Sequence, residues 1–375
     1  MRVLIAVAHG GVYSGGAHQA LYQLRGLKHA GVEVMAVWGP DDEGDPNGLD
    51  RLKSLDIPLE IIPINRQLDI DTLKRFRKAM TSFRPDVVEC FKSGAQYHAL
   101  YGGIGLKRHA LVFYRGISRR MDIWQGLKYR LRRVDRVIAN SRALKRIMSD
   151  TGKIPADKID CVYNEYDPAC SDPEAVDATG LRRELDVPEN VPLVTQLGNW
   201  STWRGQDVTL EAAAALKAGG YGFHLLFAGR DTDRLQAKVE ELDLGDAVTL
   251  SPYRRDPERV LKASDIAVNA STSHESMSGA LVNAHALGVP AVASDLAGNG
   301  EVVEDGVTGY LVPPGDAEAL AGRLSKMLDM DVERLSAMGS AARARAVKLF
   351  SSEARTRRRL EVYERAIEHR KRGHC

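Results

Sequence analysis

The 375-residue chain has few of the residues that build disulfide frameworks or metal clusters, and no long apolar run. Its four cysteines (Cys90, Cys161, Cys170 and Cys375) show no short paired spacing, which excludes a zinc motif and a disulfide scaffold. No apolar run approaches the ~18 residues of a membrane helix. The apolar start, Met1–Gly11, is too short for a signal sequence and predicts a buried strand. We therefore expect a cytoplasmic protein, with peripheral attachment to the inner face of the cytoplasmic membrane as the alternative.

The chain also has little net charge. It contains 52 Lys and Arg against 50 Asp and Glu, a formal charge of +2, which argues against a dedicated nucleic-acid binder. The charge is unevenly distributed, because residues 107–146 contain thirteen Lys or Arg and only two Asp. The near-neutral sum therefore conceals a local basic segment.

Short apolar runs alternate with amphipathic stretches along the whole chain. Runs of this length without polar alternation are typical of strands buried on both faces of a parallel sheet. Predicted strands in the first half are 3–8, 33–38, 59–64, 87–91, 111–114 and 137–140, and in the second half 193–197, 223–228, 248–250, 266–269, 291–294 and 310–312. The alternation predicts an α/β fold with right-handed crossovers.

A stretch rich in proline and aspartate, from about Cys161 to Pro192, interrupts this alternation. Such clusters mark turns and linkers, so we place the connection between two domains here. Residues 341–350 and 353–370 are predicted to be helical. We expect one domain over 1–168 plus a returning helix at 356–375, and a second over 169–355.

Glycine is concentrated between the first predicted strand and helix, at positions 10, 11, 15 and 16. Glycine lets backbone N–H groups approach an anion, and a helix N-terminus adds a favourable dipole. The spacing matches neither the dinucleotide fingerprint nor the Walker pattern. We interpret Gly15 and Gly16 as a binding turn, with a flexible strand-to-helix connection as the alternative.

A second candidate binding residue, Arg204, follows the first predicted strand of the second half of the chain. Arg204 stands beside Gly205 and ahead of a helix, where its guanidinium is suited to a phosphate. An ordinary surface arginine is the alternative.

The third candidate is the polar loop after residues 266–269. We predict a helix from near Ser276 to Gly288, followed by the stop signal Pro290. The N–H groups of Met277, Ser278 and Gly279 would then face an anion. Glu275 lies at the helix entrance, where a helix cap is the alternative role. Asn283, about two turns further on, would share its face.

Residues 265–315 resemble the signature region of retaining GT-B glycosyltransferases, in particular glycosyltransferase family 4. The matching segments are Ala291–Asp295, Gly298–Gly309 and Leu311–Asp316. Weaker matches reach Gly15–Ala17, Val137–Ser141, Asn164–Asp167 and Leu197–Gly198, so that the resemblance spans about 90% of the chain.

Several positions depart from the family pattern. The second glutamate of the family pair, which holds the nucleotide ribose, is Asn283 here. The arginine after the first glycine of the second domain is Asn199, whereas the following lysine is matched by Arg204. The family's Gly-Phe is Ser276-Met277, and its sugar-binding histidine is replaced by Arg115.

The resemblance implies two Rossmann-like domains with parallel sheets facing across a cleft. The second would bind a UDP- or GDP-sugar through Asn199, Arg204, Glu275, Met277–Gly279 and Asn283, with the nucleobase near Tyr253 and Arg254. Gly15 and Gly16 would assist the leaving phosphate, and Glu275 and Arg115 would act on the transferred sugar. The first domain would bind the acceptor. The family transfers sugars with retention and without a metal ion, so we expect no cofactor beyond the substrate.

The basic segment contributes a further candidate surface, formed by Arg119, Arg120, Lys128, Arg130, Arg132 and Arg133. Interleaved aromatic residues favour an anionic membrane surface or an anionic, lipid-linked acceptor. A solvated helix face is the alternative, and nucleic acid is disfavoured because no recognition motif accompanies the charge.

We therefore predict a retaining glycosyltransferase that modifies a glycan, a lipid-linked intermediate or a cell-envelope or exopolysaccharide precursor. Two alternatives remain open. One is a catalytically impaired homologue that binds a nucleotide or glycan, because Asn283 and Asn199 replace charged residues. The other is a nucleotide-sugar epimerase or hydrolase on the same fold.

Overall fold

The predicted alternation of strands and helices is confirmed in the computed structural model, which describes residues 1–12, 15–41, 49–65, 69–106 and 109–372. Three parts of the predictions lie outside these residues: positions 13 and 14 within the glycine-rich connection, Lys107 and Arg108 of the basic segment, and Cys375 at the end of the returning helix. The described strands are β1 (Arg2–Gly10), β2 (Glu33–Gly39), β3 (Leu59–Ile61), β4 (Val87–Phe91), β5 (Ala110–Arg115), β6 (Arg136–Ala139), β7 (Ile159–Cys161), β8 (Leu193–Leu197), β9 (His224–Ala228), β10 (Val248–Ser251), β11 (Ile266–Asn269), β12 (Ala291–Ser294) and β13 (Gly309–Val312).

Helices connect these strands and cover the sheets. They are α1 (Gly15–His29), α2 (Asp50–Lys53), α3 (Ile70–Phe83), α4 (Lys92–Gly102), α5 (Ile123–Arg130), α6 (Arg142–Gly152), α7 (Leu181–Glu184), α8 (Gln206–Ala218), α9 (Gln236–Glu241), α10 (Pro257–Lys262), α11 (Gly279–Ala286), α12 (Asn299–Val302), α13 (Ala317–Leu328), α14 (Val332–Phe350) and α15 (Ser352–Arg372). No helix in the described part is both long and apolar enough to cross a membrane.

The strands form two sheets in which every described pairing is parallel. The first has the order β3-β2-β1-β4-β5-β6-β7, and the second the order β10-β9-β8-β11-β12-β13. Both orders are of the doubly wound, Rossmann-like type, since the strand order reverses once within each sheet. The chain divides into a first unit, Met1–Glu165 with Ser352–Cys375, and a second unit, Tyr166–Ser351.

The short strand β7 was not predicted from the sequence. It has only three residues, and its central Asp160 is charged. Asp160 accepts two hydrogen bonds from the Arg136 guanidinium, at 2.7 and 2.9 Å, which secures this edge of the sheet. A pattern this short carries no periodicity, so only pairing with β6 defines it.

Buried charges attach α15 to the first sheet. Arg355, Arg359 and Tyr363 are spaced by four residues and are therefore on one helix face, where all three side chains are buried. Arg359 and Tyr363 both hydrogen-bond the carboxylate of Glu89, a fully buried residue of β4. Arg355 lies 3.3 Å from the carboxylate of Glu165. The arginine-rich end of the chain is thus part of the core of the first unit.

We expect Arg359→Leu to lower the free energy of unfolding by about 3–5 kcal/mol, because it leaves the Glu89 carboxylate buried without its cation. The matched control is Arg358→Leu, since the Arg358 side chain is 63% exposed and its partner Glu361 lies on the solvent side. This control should change stability little. Chemical denaturation of both variants makes the measurement, and equal losses would contradict the assignment.

Candidate functional site

The order of the second sheet reverses between β8 and β11, which lie side by side. In open α/β sheets, ligands bind outside the carboxyl ends of the strands at such a reversal. The loops that leave these two strands, residues 198–205 and 270–278, contain most of the predicted site residues. These two loops therefore form the centre of the candidate site.

Glycine allows the two loops to touch. A Cβ atom on Gly205, which has a φ of 66°, would lie 1.9 Å from the carbonyl oxygen of Ala270. The amide of Thr272 donates to the carbonyl of Trp203 at 2.8 Å. The backbone contact on either side of Arg204 holds that residue against the loop after β11.

Arg204 and Glu275 meet at this junction. The Nη1 atom of Arg204 lies 3.4 Å from Oε2 of Glu275, and the two side chains are 30% and 11% exposed. The guanidinium also stacks on Trp203, with its carbon 4.5 Å from the ring centroid. The site thus presents one cation and one carboxylate together, each partly open to solvent.

The helix that follows this loop begins later than predicted. Helix α11 starts at Gly279, and the Ser278 side chain caps it by accepting from the amide of Leu281. The predicted start near Ser276 is therefore wrong, and Met277 is a buried loop residue. Ser278 has an extended backbone and is the N-cap, a position that serine favours over the helix interior. The N–H groups of the first turn therefore belong to Gly279 and the residues after it.

The predicted shared face of Glu275 and Asn283 is wrong for the same reason, because Glu275 precedes the helix by four residues. The side-chain oxygen of Asn283 accepts a hydrogen bond from the amide of Asp167 at 2.8 Å. Asn283 thus secures the segment that enters the second unit.

The remaining predicted residues of the second unit lie at or beyond the carboxyl ends of neighbouring strands of its sheet. The side-chain oxygen of Asn199 accepts from the amide of Arg230 at 3.0 Å, which joins the loops after β8 and β9. Tyr253 is 52% exposed, and the Arg230 guanidinium lies 5.3 Å from its ring centroid. Arg254 instead bonds Asp256 and Glu184, each at 2.8 Å, and these bonds raise its pKa.

Sequence reasoning missed Arg230. It follows Gly229 directly after a predicted strand, and this Gly-Arg pair at a carboxyl end of the sheet was the available signal.

In the first unit, Gly15 and Gly16 open α1 beside the end of β1. A Cβ on Gly16 would lie 3.1 Å from Nε2 of His9. Burial and then the Lys92 ammonium lower the pKa of His9 to about 3, so this imidazole is neutral at physiological pH. The glycine turn therefore packs against an uncharged ring.

Arg115 ends β5, where its Nη2 donates to the carbonyl of Arg119 at 2.7 Å. Lys128 of α5 is partly buried and donates to the Ser93 hydroxyl at 2.7 Å. Burial and then Arg115 lower the pKa of Lys128 to about 8. These two predicted residues thus lie at the carboxyl edge of the first sheet, Arg115 at the end of β5 and Lys128 against the start of α4.

The other members of the basic segment divide into two environments. Arg119, Arg120 and Arg132 are exposed, and Arg130 is partly buried. Arg133 contacts His109 and lies 3.9 Å from the buried carboxylate of Asp135, so it belongs to an interior network rather than to the exposed surface. Among the described residues, no group of three His, Cys, Asp or Glu is arranged to hold a metal ion.

We expect Gly205→Ala to be far more destabilising than Gly220→Ala. Both glycines have a positive φ, 66° and 80°, but a Cβ on Gly220 meets nothing within 4 Å. Gly220→Ala, the control, should lower the free energy of unfolding by about 1–2 kcal/mol through backbone strain alone. Gly205→Ala should lower it further, because the added Cβ also forces the two loops apart. Free energies of unfolding from denaturant titration test this, and similar losses would refute the loop contact.

Comparisons with known proteins agree with this architecture. The profile of Glycosyltransferase Family 4 matches residues 13–169, and that of Glycosyl transferases group 1 matches residues 177–345. The putative colanic acid biosynthesis glycosyltransferase WcaL of Salmonella typhimurium is 31% identical over 160 residues, which are 40% of this chain and 39% of that protein. The matches to the first three curated relatives span 39–55% of the lengths of those proteins.

Two solved structures are similar over nearly the whole chain. A glycosyltransferase from Rickettsia africae has a TM-score of 0.85 at 20% identity and covers 98% of both chains. The Anabaena protein HepE in complex with UDP-glucose has a TM-score of 0.80 at 21% identity, covering 97% of this chain and 99% of its own. Together with the two profiles, these likenesses establish that the chain belongs to the group 1, family 4-type glycosyltransferases and has their GT-B fold of two Rossmann-like halves.

Proposed function

We propose that the protein transfers a sugar from a nucleotide-sugar donor to a glycan, lipid-linked or polysaccharide acceptor, with retention at the sugar carbon. The observation that carries this proposal is the pairing of Arg204 with Glu275 at the strand reversal of the second sheet. One group suits the phosphates of a donor, and the other suits the hydroxyls of its sugar. Family membership supports the reaction class.

The chemistry needs stabilisation of opposite charges. Cleavage of a sugar–phosphate bond places negative charge on the leaving phosphate and positive charge on the sugar carbon. Arg204 and the free N–H groups at the start of α11 would stabilise the phosphate, because fixed donors in a partly dry site act strongly on developing charge. Because the Arg204 cation and the N-terminus of α11 can both stabilise the leaving phosphate, we propose that the reaction proceeds without a metal ion.

Glu275 would orient the donor sugar by accepting hydrogen bonds from its hydroxyls. Retention would follow from front-face attack, in which the acceptor hydroxyl approaches on the side of the leaving phosphate and gives its proton to it. Arg115, at the end of β5 in the first unit, is the candidate contact to the transferred sugar.

A UDP-sugar is the donor that we propose first, with a GDP-sugar as the alternative. Crystals of HepE contain UDP or UDP-glucose, and that protein shares the fold. The exposed ring of Tyr253, stacked with Arg230, offers a surface for a nucleobase. Relatives named for colanic acid and for lipopolysaccharide core biosynthesis support an acceptor from the cell envelope.

One observation favours the alternative of a nucleotide-binding homologue without activity. Asn199 and Asn283 both use their side-chain oxygens to hold backbone amides of the protein itself. Neither asparagine therefore supplies the charge that the corresponding residue carries in the family pattern. Turnover distinguishes the alternatives. A binding protein is stabilised by UDP but releases no UDP from UDP-sugars. A hydrolase releases UDP from UDP-sugars even when no acceptor is present.

We expect Arg204→Met and Glu275→Gln to reduce nucleotide release from UDP-sugars by about 10²–10³-fold, because each removes a group that meets developing charge or orients the sugar. The control is Arg323→Met, which removes another arginine stacked on an aromatic ring, 5.0 Å from the centroid of Tyr310. Rates with a panel of UDP- and GDP-sugars make the test. An unchanged rate in both site variants, with the control intact, would rule out this site.

We also propose that α5 docks on an anionic membrane surface. Ile123, Trp124 and Leu127 lie on one face of this helix and are 54%, 83% and 45% exposed. Exposed arginines flank it at 119, 120 and 132. An apolar face bordered by cations is typical of a helix that lies in the lipid headgroup region.

We expect the triple change of Arg119, Arg120 and Arg132 to glutamine, and separately Trp124→Ala, to weaken sedimentation with anionic liposomes. The matched control changes three exposed arginines elsewhere, Arg334, Arg357 and Arg372, to glutamine. Binding should fall with salt, since each cation near the surface contributes about 1 kcal/mol. Equal loss in the control would mean that total charge alone governs binding.

A further inference from the structure

A cavity of about 380 Å³ lies in the first unit, at the amino edge of its sheet. The end of α4, the segments that lead into β5 and β6, and the end of α15 line it. Because β5 and β6 are parallel, this edge is opposite to the one where β5 ends at Arg115. Small-molecule sites have volumes of about 300–1,000 Å³. The cavity is therefore a candidate binding site separate from the residues assigned above.

The walls of this cavity are apolar. They are formed by Leu100, Tyr101, Ile104, Leu106 and Leu131. Tyr101, Ile104 and Leu131 are 51%, 67% and 40% exposed, so that water contacts a continuous group of large apolar side chains. The ring of Tyr101 is held in place by stacking on Tyr97, with 6.4 Å between the ring centroids. Transfer of such surface out of water favours the binding of an apolar ligand.

Hydrogen bonds hold the loop between α4 and β5 in this shape. The Nη1 atom of Arg77 donates to the carbonyl oxygens of Gly102 and Ile104, at 2.9 and 2.6 Å. The amide of Leu106 donates to the carbonyl of Gly103 at 2.9 Å. The loop is thus ordered before a ligand binds, which lowers the entropic cost of binding.

Arg133 places a cation at the polar end of the cavity. Its guanidinium contacts the imidazole of His109. Burial and then the Arg133 and Arg370 cations lower the pKa of His109 to about 3, so this ring is neutral and gives no charge compensation. Within the described part of the chain, the carboxylate at ion-pair distance from Arg133 is that of Asp135, which lies 3.9 Å away. That distance is too long for a hydrogen bond.

The carboxylate of Asp135 is shared with other donors. Arg370, which also lines the cavity, bonds it at 2.8 Å, and the amide of Leu111 donates to it at 2.7 Å. Asp135 therefore compensates Arg133 only in part. In agreement, burial and then Arg370 lower the pKa of Arg133 to about 10, although Asp135 acts in the opposite direction. A second carboxylate would suit this guanidinium, which can donate to both oxygens of such a group.

We propose that the cavity binds a free, single-chain fatty carboxylate, with its head on Arg133 and its chain along the apolar walls. Charge complementarity selects the anionic head. The volume selects the chain, since 380 Å³ holds about a dozen groups the size of a water molecule, at about 30 Å³ each. A methylene group is of similar size, so the cavity accommodates one medium-length chain rather than the two chains of a phospholipid. This site rests on the first unit alone and does not depend on the proposed transfer reaction.

Equilibrium dialysis of the full-length protein against radiolabelled octanoate, decanoate and dodecanoate, below their micellar concentrations, tests the proposal. The dissociation constant should fall about fourfold for each added methylene, and level off at tetradecanoate, which outgrows the cavity. Decanol, which has the same chain without the charge, should bind at least about tenfold more weakly than decanoate. Absence of binding, affinity independent of chain length, or equal affinity for decanol and decanoate would overturn the proposal.

Two exposed isoleucines of the first unit give a matched pair of variants. Ile104 lines the cavity and Ile70 begins α3, and they are 67% and 72% exposed, so both serine variants should fold. Ile104→Ser should weaken decanoate binding about tenfold, because it removes apolar contact with the chain. Ile70→Ser should leave it unchanged. Equal effects of the two changes would place decanoate elsewhere and overturn the site.

Arg133→Met tests the head group. This variant should bind decanoate no more tightly than decanol, and its affinity for decanol should stay at the wild-type value, which a general loss of structure would not allow. A retained preference for decanoate would overturn the role of Arg133. Anionic liposomes provide the last comparison. If sedimentation with them depended on Ile104 while decanoate failed to bind, the apolar walls would contact a bilayer instead, and the proposal would be wrong.

Discussion

Direct backbone contact between adjacent loops positions the charged groups of the second unit. Gly205 lets the turn before α8 approach the carbonyl of Ala270, and Gly229 lets the end of β9 approach the carbonyl of Gly198. Any side chain at these glycines would separate the carboxyl ends of the strands. The short distance between Arg204 and Glu275 depends on this contact, because both residues lie on the loops that it joins.

Both units place cations beside the start of a helix at the carboxyl edge of a parallel sheet. In the second unit, Arg204 has Glu275 as a partner near the start of α11. In the first unit, Lys128 donates a hydrogen bond to the hydroxyl of Ser93 near the start of α4, and its ammonium lies 5.0 and 5.1 Å from the ring centroids of Tyr97 and Tyr129. The same fold thus gives one cation a carboxylate partner and the other a hydroxyl and two aromatic rings.

Most strands of the two sheets could be predicted from the sequence because they are apolar runs buried on both faces, whereas β7 is short, charged and only partly buried. The predicted bounds of β4, β8, β11 and β12 agree with the structure to the residue. The start of α11 could not be predicted, because serine, methionine and glycine at 276–279 show no helical periodicity. The helix start is set by the hydrogen bond that the Ser278 side chain accepts from the amide of Leu281. Likewise, no spacing rule connects Asn283 with Asp167, which are 116 residues apart.

The amino-acid sequence by itself determined the α/β class, the two-part organisation and the family, because these depend on local hydrophobic pattern and on contiguous motifs. Only the tertiary structure decided which charges are neighbours. Arg254 is bound by Glu184 and Asp256, Arg133 lies beside the buried Asp135, and Lys128 donates to Ser93. The physical reason is that electrostatic partners are chosen by distance in space, and the parallel crossovers bring together residues that lie far apart in the chain.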